Sequence, residues 1–302
     1  MSESLKRFLT GVVLLGILFF FLLFLRPIEI RSVDALIMAF LVLGMFEMYR
    51  ATKTGGSKPI EAPLITYAVI VYPLFFFLED VGILIALALS VIEGLTIFTF
   101  ALKTDENGQK IAKYGLNELG TTFLTLIYPG VFVAMFMCVN FHAGDLLAIL
   151  MMLVIPLADD AFAYFVGSKF GKHKLIPAIS PKKSVEGLIG GIVGGLLAQA
   201  VLFLLFEVFG VFNNVNNIAI KSISDKLFVS IPIYVVLALI LIAADFAGDL
   251  VASRIKRIVG IKDYGKIFPG HGGVMDRLDS LIFAMPVVYV FFTICRVSGF
   301  LY

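Results

Sequence analysis

Apolar residues occur in long runs along this chain, and polar residues collect in the short stretches between the runs. A helix needs roughly 20 apolar residues to cross a bilayer, and nine windows approach or exceed that length. Backbone groups in lipid must form hydrogen bonds within their own segment, so we predict helices rather than isolated strands. The predicted spans are 8–25, 33–49, 63–79, 82–102, 117–140, 145–167, 185–211, 228–252 and 280–298.

The composition agrees with this pattern. Of 302 residues, 60% are hydrophobic and 15% are charged, and the mean hydropathy is +1.01. We therefore predict an all-α polytopic membrane protein with about nine transmembrane helices. Cys138 and Cys295 lie inside apolar runs, so we interpret both as packing residues rather than as a disulfide or a metal site.

Basic residues indicate the orientation. Nineteen of the 24 Lys and Arg residues fall at the N-terminus or after the second, fourth, sixth and eighth spans. By the positive-inside rule these stretches are cytoplasmic, so we predict a cytoplasmic N-terminus and an outer C-terminus. The first run ends at Arg26 and Pro27 without a small-residue cleavage site, which favours a retained helix over a signal peptide.

The end of the predicted eighth helix carries one polar stripe. Asp245, Asp249, Ser253 and Lys256 differ by four, four and three positions, so they share a helical face. Ionisable groups within an apolar segment indicate a functional site. The alternative is structural, with Asp245 or Asp249 in a buried ion pair with Lys256 or Arg257.

A glycine-rich stretch and a second pair of carboxylates follow this stripe. Glycines around His271 permit a close approach to a ligand, and exposed amides can bind phosphate oxygens. Asp276 and Asp279 are predicted to share a face at the start of the ninth helix, where a role in capping is the alternative. Carboxylates on two helices, surrounded by cations, suit Mg²⁺-bound polyphosphate chemistry. No Walker-type phosphate loop and no zinc-like His or Cys cluster is found in the sequence.

A second polar block lies between the sixth and seventh spans. It begins with Asp159 and Asp160 and continues through a basic stretch to Lys182, Lys183 and Glu186. Basic residues at a membrane surface often serve topology or attract anionic lipids. Ser180 and Pro181 fix a turn before Lys182 and Lys183, however, so we predict that these two lysines contact substrate phosphates.

The two polar blocks resemble the motifs of a known enzyme family. From Ser253 to Asp279 the chain reads Ser-x-Ile-Lys-Arg-x4-Lys-Asp-x-Gly-x2-Phe-Pro-x-His-Gly-Gly-x2-Asp-Arg-Leu-Asp. This run is similar, without gaps, to the signature of phosphatidate cytidylyltransferases, also called CDP-diacylglycerol synthases. The block from Tyr164 to Gly187 resembles a second motif of that family, and the resemblance covers residues 158–283. At Phe162 members often have glycine, so we expect the larger side chain to weaken close helix contact there.

The resemblance implies that CTP and phosphatidic acid react to give CDP-diacylglycerol and pyrophosphate. It also implies Mg²⁺ at Asp249 and Asp276, with K⁺ in some members. The lipid phosphate is itself a nucleophile, so catalysis is expected to depend on positioning and charge stabilisation. The predicted catalytic residues are Asp249, Asp276, Lys256 and Arg257. The predicted substrate-binding residues are Asp160, Lys182, Lys183, Glu186, Ser253, Lys262, Asp263, His271, Gly272, Gly273, Arg277 and Asp279.

Further expectations concern organisation and alternatives. We predict an N-terminal region of four helices over 1–115 and a catalytic region over 116–302, with cytoplasmic loops 168–184 and 253–279. The expected location is a bacterial cytoplasmic membrane with the active site facing the cytoplasm. Expected partners are CTP, phosphatidic acid and bilayer lipids, with no nucleic acid, and the resemblance is consistent with a homodimer. Alternatives are a CTP-dependent polyprenol or phytol kinase and a transporter of an anionic substrate.

Overall fold

The computed structural model describes residues 20–142, 146–177, 179–210, 227–268 and 272–297, together with positions 13 and 16–18. This part of the chain is mainly helical. The helices are α1 (Ser32–Thr54), α2 (Glu61–Phe100), α3 (Leu116–Thr125), α4 (Phe132–His142), α5 (Leu146–Phe170), α6 (Val185–Phe203), α7 (Leu227–Ile258), α8 (Met275–Leu278) and α9 (Leu281–Val297). Two short antiparallel hairpins pair β1 (Leu102–Thr104) with β2 (Lys110–Ala112) and β3 (Lys174–Ile176) with β4 (Ser180–Ser184).

The prediction of an all-α polytopic membrane protein is confirmed. Among the described residues, six helices are long and apolar enough to cross a membrane. One of them continues from α3 to α4 through a π-helical turn, Leu126–Val131, and another extends α6 through the π-helical turn Leu204–Val208. Shorter apolar helices lie at Gly16–Leu25 and Leu281–Cys295 and correspond to the first and ninth predicted spans.

The third and fourth predicted spans are both contained in α2. This element of 40 residues is broken at Glu79, where φ is 53° and ψ is −135°. A Cβ atom added to Gly82 would overlap the backbone of Leu74, so the chain passes close to itself beside the break. Only glycine allows such an approach, and the break lies where the predicted third span ends and the fourth begins.

Two predicted boundaries differ from the structure. The helix expected to end near residue 252 continues to Ile258, so Ser253, Lys256 and Arg257 are helical. The prediction that Asp276 and Asp279 open one helix together was wrong. Asp276 lies in the single turn of α8, and Asp279 precedes the separate helix α9.

The described residues form two compact units. The first contains Ala35–Ala134 and Lys256–Arg277, and the second contains Met135–Ile255 with the described residues before Ala35 and after Arg277. The functional division predicted at residue 115 stays a prediction. Each unit has a buried apolar core, and the two cysteines are buried, which agrees with their predicted packing role. Large buried side chains are Leu41, Met48, Tyr67 and Phe75 in the first unit, and Leu146, Leu147, Ile149 and Tyr234 in the second.

The most extensive helix pairing in the second unit is between α5 and α6. The face of α6 that meets α5 is built from glycines that are buried at Gly187, Gly190, Gly191 and Gly194. A Cβ atom at Gly194 would come within 2.5 Å of the Cβ and Cγ atoms of Phe162. The expectation that Phe162 weakens close contact was therefore wrong, because glycine on the partner helix provides the space.

Candidate active site

The second unit brings together the basic β3–β4 hairpin and the part of the polar stripe of α7 that contains Asp245, Asp249 and Ser253. Lys183 Nζ lies 2.6 Å from Asp249 Oδ2, and both side chains are about one quarter exposed. The same ammonium group lies 4.4 Å from the ring centroid of Phe246. Ser253 Oγ donates to Asp249 Oδ1 at 3.3 Å. Asp249 thus has a lysine partner, and that partner comes from β4 rather than from the stripe itself.

Strand β4 and the start of α6 determine where Lys183 lies. The Ser184 hydroxyl accepts the N–H of Gly187 at 3.1 Å and caps α6, which fixes the end of the strand. Side chains alternate along a strand, and Lys182 is exposed whereas Lys183 is half-buried. Both lysines nevertheless line the same cavity, so the hairpin presents two cations to one space.

This cavity has a volume of about 510 Å³ and lies within the second unit. Its lining combines carboxylates, ammonium groups and an aromatic ring. Apolar side chains complete the wall. The polar and aromatic residues of the lining include Asp159, Asp160, Tyr164, Lys174, Lys182, Lys183, Ser184 and Phe246. A space of this size with convergent charged groups suits a phosphorylated ligand.

Three carboxylates form a tight cluster at this cavity. Asp159 and Asp160 from α5 and Asp245 from α7 each place an oxygen within 4.8 Å of the other two. Asp159 and Asp245 are 5% and 1% exposed, whereas Asp160 is exposed. Among the described residues, no donor reaches Asp159 Oδ1 or Asp245 Oδ1. Like charges this close require protons or a bound cation, and hard carboxylate oxygens are ligands for Mg²⁺.

The sequence assigned only Asp160 of this cluster to the site, as a substrate-binding residue. Asp159 was not predicted as a site residue, and for Asp245 a buried ion pair was the structural alternative. The available signal was three aspartates within two apolar segments. A Cβ atom at Gly191 would overlap the Asp159 carboxylate, so the close α5–α6 packing is what positions this group.

Glu186 organises the hairpin rather than lining the cavity. Its carboxylate accepts the backbone N–H groups of Lys172, at 3.1 Å, and His173, at 3.3 Å. The His173 ring nitrogen Nδ1 lies 2.6 Å from Glu186 Oε1. These contacts attach the chain entering β3 to the first turn of α6. Substrate binding by Glu186 stays a prediction.

In the first unit, Asp276 is the centre of a separate polar arrangement. Its Oδ2 atom accepts the backbone N–H groups of Tyr264 at 2.8 Å and Gly273 at 3.0 Å. Its Oδ1 atom lies 3.2 Å from Lys256 Nζ; Asp276 is buried and Lys256 is half-buried. A buried carboxylate with two amide donors and an ammonium partner is well compensated, so its charge can be retained.

Other predicted residues of the first unit differ in exposure. Gly272 has a φ of +84°, which a side chain rarely adopts, and a Cβ atom there would come within 2.7 Å of Asp276 Oδ2. Phe268 N–H donates to Gly272 O at 2.8 Å. His271 lies outside the described residues. The exposed predicted residues of this unit are Arg257, Lys262, Asp263 and Arg277.

Asp279 belongs to the second unit. Its Oδ1 atom accepts the N–H of Ser280 at 3.1 Å, and Ser280 Oγ lies 3.4 Å from Asp160 Oδ2. A Cβ atom at Gly248 would come within 2.7 Å of the Asp279 carbonyl oxygen, so α7 and this turn are in close contact. Asp279 therefore lies next to the acidic cluster through its neighbour, Ser280.

These features define a class: a polytopic membrane protein with buried carboxylates and lysines arranged for phosphate chemistry. Residues 5–295 match the cytidylyltransferase family, and the chain belongs to this family. It is accordingly a nucleotidyltransferase enzyme.

Relatives with assigned names agree with this membership. A phosphatidate cytidylyltransferase of Bacillus subtilis is 32% identical over 298 residues, which cover 96% of this chain and 97% of the relative. One from Thermotoga maritima is 34% identical over 200 residues, 66% of this chain and 67% of the relative. A third, from Aquifex aeolicus, is 33% identical over 178 residues, 59% of each chain.

Proposed function

We propose that this protein is a phosphatidate cytidylyltransferase, which converts CTP and phosphatidic acid into CDP-diacylglycerol and pyrophosphate. The observation that carries the proposal is the pairing of Lys183 with Asp249 at 2.6 Å beside a polar cavity. Lys183 belongs to the motif at Tyr164–Gly187, and Asp249 lies four residues before the signature run begins at Ser253, so residues distant in sequence meet at this place. The Bacillus subtilis relative, which bears that activity in its name, aligns with nearly the whole chain.

The reaction requires little covalent chemistry from the protein. An oxygen of the lipid phosphate forms a bond to the α-phosphorus of CTP, and the bond from that phosphorus to the β-phosphate oxygen breaks. Pyrophosphate carries away the negative charge that develops. Positioning and charge stabilisation therefore supply most of the rate enhancement.

We assign Lys182 and Lys183 to the CTP phosphates, because both lysines line the cavity. Lys256, Arg257, Lys262 and Arg277 are assigned to neutralising phosphate charge in the signature segment. Ser253 orients Asp249 through its 3.3 Å hydrogen bond. The glycines next to His271 and the histidine itself are assigned to the nucleotide. Asp160 and Asp279 are assigned to orienting groups beside the cavity.

The donor set also fits a divalent cation. We propose Asp249 and Asp276 as Mg²⁺ ligands, as the resemblance implies. Within the second unit, Asp159, Asp160 and Asp245 form a carboxylate cluster that offers oxygens for a cation. The buried oxygens Asp159 Oδ1 and Asp245 Oδ1 have no donor among the described residues, which suits a cation. When bound, Mg²⁺ would neutralise charge on the phosphate oxygens. K⁺ is proposed as a second cation, and replacing potassium by choline salts in the assay tests it.

The proposal places the site at the cytoplasmic face of a bacterial membrane, as the distribution of basic residues predicts. CTP is available on that side. Cysteine-scanning with an impermeant thiol reagent on a Cys138→Ala, Cys295→Ala background tests the orientation. The predicted homodimer is tested by cross-linking in native membranes.

The activity is tested with purified protein in detergent, phosphatidic acid, and CTP labelled at either the α- or the γ-phosphate. We expect the α-label, and not the γ-label, in the organic phase, and only with Mg²⁺ present. Transfer of the γ-label to a polyprenol or phytol would instead identify a kinase and overturn the proposal. Uptake of CTP or another anion into liposomes without a lipid product would identify a transporter.

A further inference from the structure

A buried acidic residue of α1 contacts the signature segment of the first unit. Glu47 is 3% exposed and lies within an apolar, membrane-spanning helix. Burial of a carboxylate is costly unless the group has hydrogen-bond partners. Glu47 lies outside both motifs on which the resemblance rests, so it has no assigned role in the proposed reaction.

The Glu47 carboxylate contacts three residues of the signature segment, Ser253–Asp279: Gly265, Gly273 and Met275. Its Oε2 atom accepts the backbone N–H of Met275 at 2.8 Å. A Cβ atom at Gly265 or at Gly273 would overlap the Glu47 carboxylate. These glycines therefore leave the space that the carboxylate occupies, and any side chain at either position would displace it.

The same segment supplies the surroundings of Asp276. The N–H donors to Asp276 belong to Tyr264, which precedes Gly265, and to Gly273, which itself contacts Glu47. Met275, which donates to Glu47, directly precedes Asp276 in the chain. Each backbone N–H that binds Asp276 therefore belongs to a residue that contacts Glu47 or directly precedes one that does.

We propose that Glu47 is a positioning residue for the cytidylyltransferase reaction, acting through the backbone around Asp276. By holding Met275 and filling the space beside Gly265 and Gly273, Glu47 fixes the direction of the Asp276 carboxylate and of its partner Lys256. This inference rests on the proposed function for its kinetic consequence. Its structural part, the anchoring of residues 264–276, is measured independently.

The first test compares Glu47→Ala with Glu47→Gln in the full-length protein in detergent. The glutamine side-chain oxygen still accepts the Met275 N–H, whereas alanine cannot. For Glu47→Ala we expect kcat to fall by about 10–100-fold, the range typical for loss of an outer partner at a functional site, with a smaller change in the KM for CTP. Glu47→Gln should recover most of the lost activity.

Hydrogen–deuterium exchange supplies a measurement without turnover. Peptides covering residues 264–276 should exchange faster in Glu47→Ala than in wild type, and Glu47→Gln should resemble wild type. Asp34→Asn is the matched control, because Asp34 is a buried carboxylate of α1 that accepts from Asn140 instead. This control should leave exchange in 264–276 unchanged.

A coupling experiment covers the case in which Glu47→Ala folds poorly. Gly273→Ala keeps Glu47 in place but introduces a methyl group into its carboxylate, so it should reproduce the faster exchange. In the Glu47→Ala background the added methyl group meets no carboxylate, and its effect on melting temperature should become smaller.

Three outcomes would overturn the inference. The first is unchanged exchange of residues 264–276 in both Glu47→Ala and Gly273→Ala. The others are additive effects of Glu47→Ala and Gly273→Ala on melting temperature, and an equal loss of kcat in Glu47→Gln and Glu47→Ala. If the wild-type protein forms no CDP-diacylglycerol, the proposed function fails. The exchange and coupling results would still decide whether Glu47 anchors the segment.

Discussion

Lys183 Nζ lies 2.6 Å from Asp249 Oδ2, so a strand of the basic hairpin and a helix of the membrane core contribute to one ion pair. Both side chains remain about one quarter exposed. An ion pair of this kind contributes about 0–1 kcal/mol to stability, because solvent screens the charges. Its position is better explained by substrate binding than by a gain in stability.

Replacement of Lys183 tests this explanation. Lys183→Ala should lower kcat/KM for CTP by roughly 10–1,000-fold, since one phosphate contact is lost from a site that depends on charge stabilisation. Lys182→Ala should have a smaller effect, because Lys182 is exposed and Lys183 faces Asp249. The melting temperature of both variants should stay near that of wild type. A larger effect from Lys182 would contradict the assignment.

Asp249→Asn should remove nearly all turnover without unfolding the protein. Loss of one charged ligand or stabilising group at such a site typically costs about 10²–10³-fold in kcat. Formation of labelled CDP-diacylglycerol measures activity, and a thermal melt in detergent measures folding. Glu106→Gln, an exposed carboxylate of the β1–β2 hairpin, serves as the control and should retain full activity. Near-normal activity of Asp249→Asn would remove Asp249 from the site.

Gly191→Ala should destabilise the second unit. The added Cβ atom would overlap the Asp159 carboxylate and come within 3.2 Å of Ala163 Cβ. Overpacking in a dense interface costs about 1–3 kcal/mol. Gly120→Ala in α3 is the matched control, since no atom lies within 4 Å of its added Cβ. That control should keep or slightly raise the melting temperature, because alanine favours helices over glycine.

Asp245→Asn should raise the melting temperature when divalent cations are removed with EDTA. The substitution relieves repulsion among three carboxylates whose oxygens lie within 4.8 Å of one another. Mg²⁺ should then raise the melting temperature of wild type more than that of the variant. The difference in melting temperature between the two proteins should therefore become smaller when Mg²⁺ is added.

Asp34→Asn provides the comparison for this metal effect. Asp34 is also fully buried but is not part of the acidic cluster. The difference in melting temperature between Asp34→Asn and wild type should be the same with and without Mg²⁺. If Mg²⁺ stabilises wild type and Asp245→Asn equally, the acidic cluster does not bind the cation.

Hydropathy was sufficient to predict the membrane architecture, because apolar length reflects the lipid environment directly. The break at Glu79 also falls where the predicted third and fourth spans divide, at the charged pair Glu79 and Asp80. The close backbone approach at Gly82 was not predictable, because it depends on the conformation of the chain at the break. The pairing of Asp159 with Asp245 was also missed. This pairing depends on which faces of α5 and α7 meet. A helix that is apolar on all sides has no amphipathic face, so its sequence does not show which side packs against a neighbour.

The site was predictable where sequence neighbours carry the chemistry, as in the stripe through Asp249 and Ser253. It was not predictable where partners come from distant elements, as with Glu47 and Met275. A lone glutamate in an apolar helix was the available signal for Glu47. The sequence analysis interpreted Gly265 as part of the signature and Gly273 as a ligand contact. In the structure, both glycines also leave space for the Glu47 carboxylate.

The β3–β4 hairpin constrains the chain by length as well as by residue type. Lys174 pairs with Ser184 and Ile176 with Ser180, with an irregular register between the two pairs, so the residues of β4 are counted back from the cap of α6. Side chains on a strand alternate, and a single inserted or deleted residue exchanges the two faces. One such change between Ser180 and Ser184 would exchange the directions of the lysines while leaving the composition almost intact. Insertions should therefore be excluded from β4.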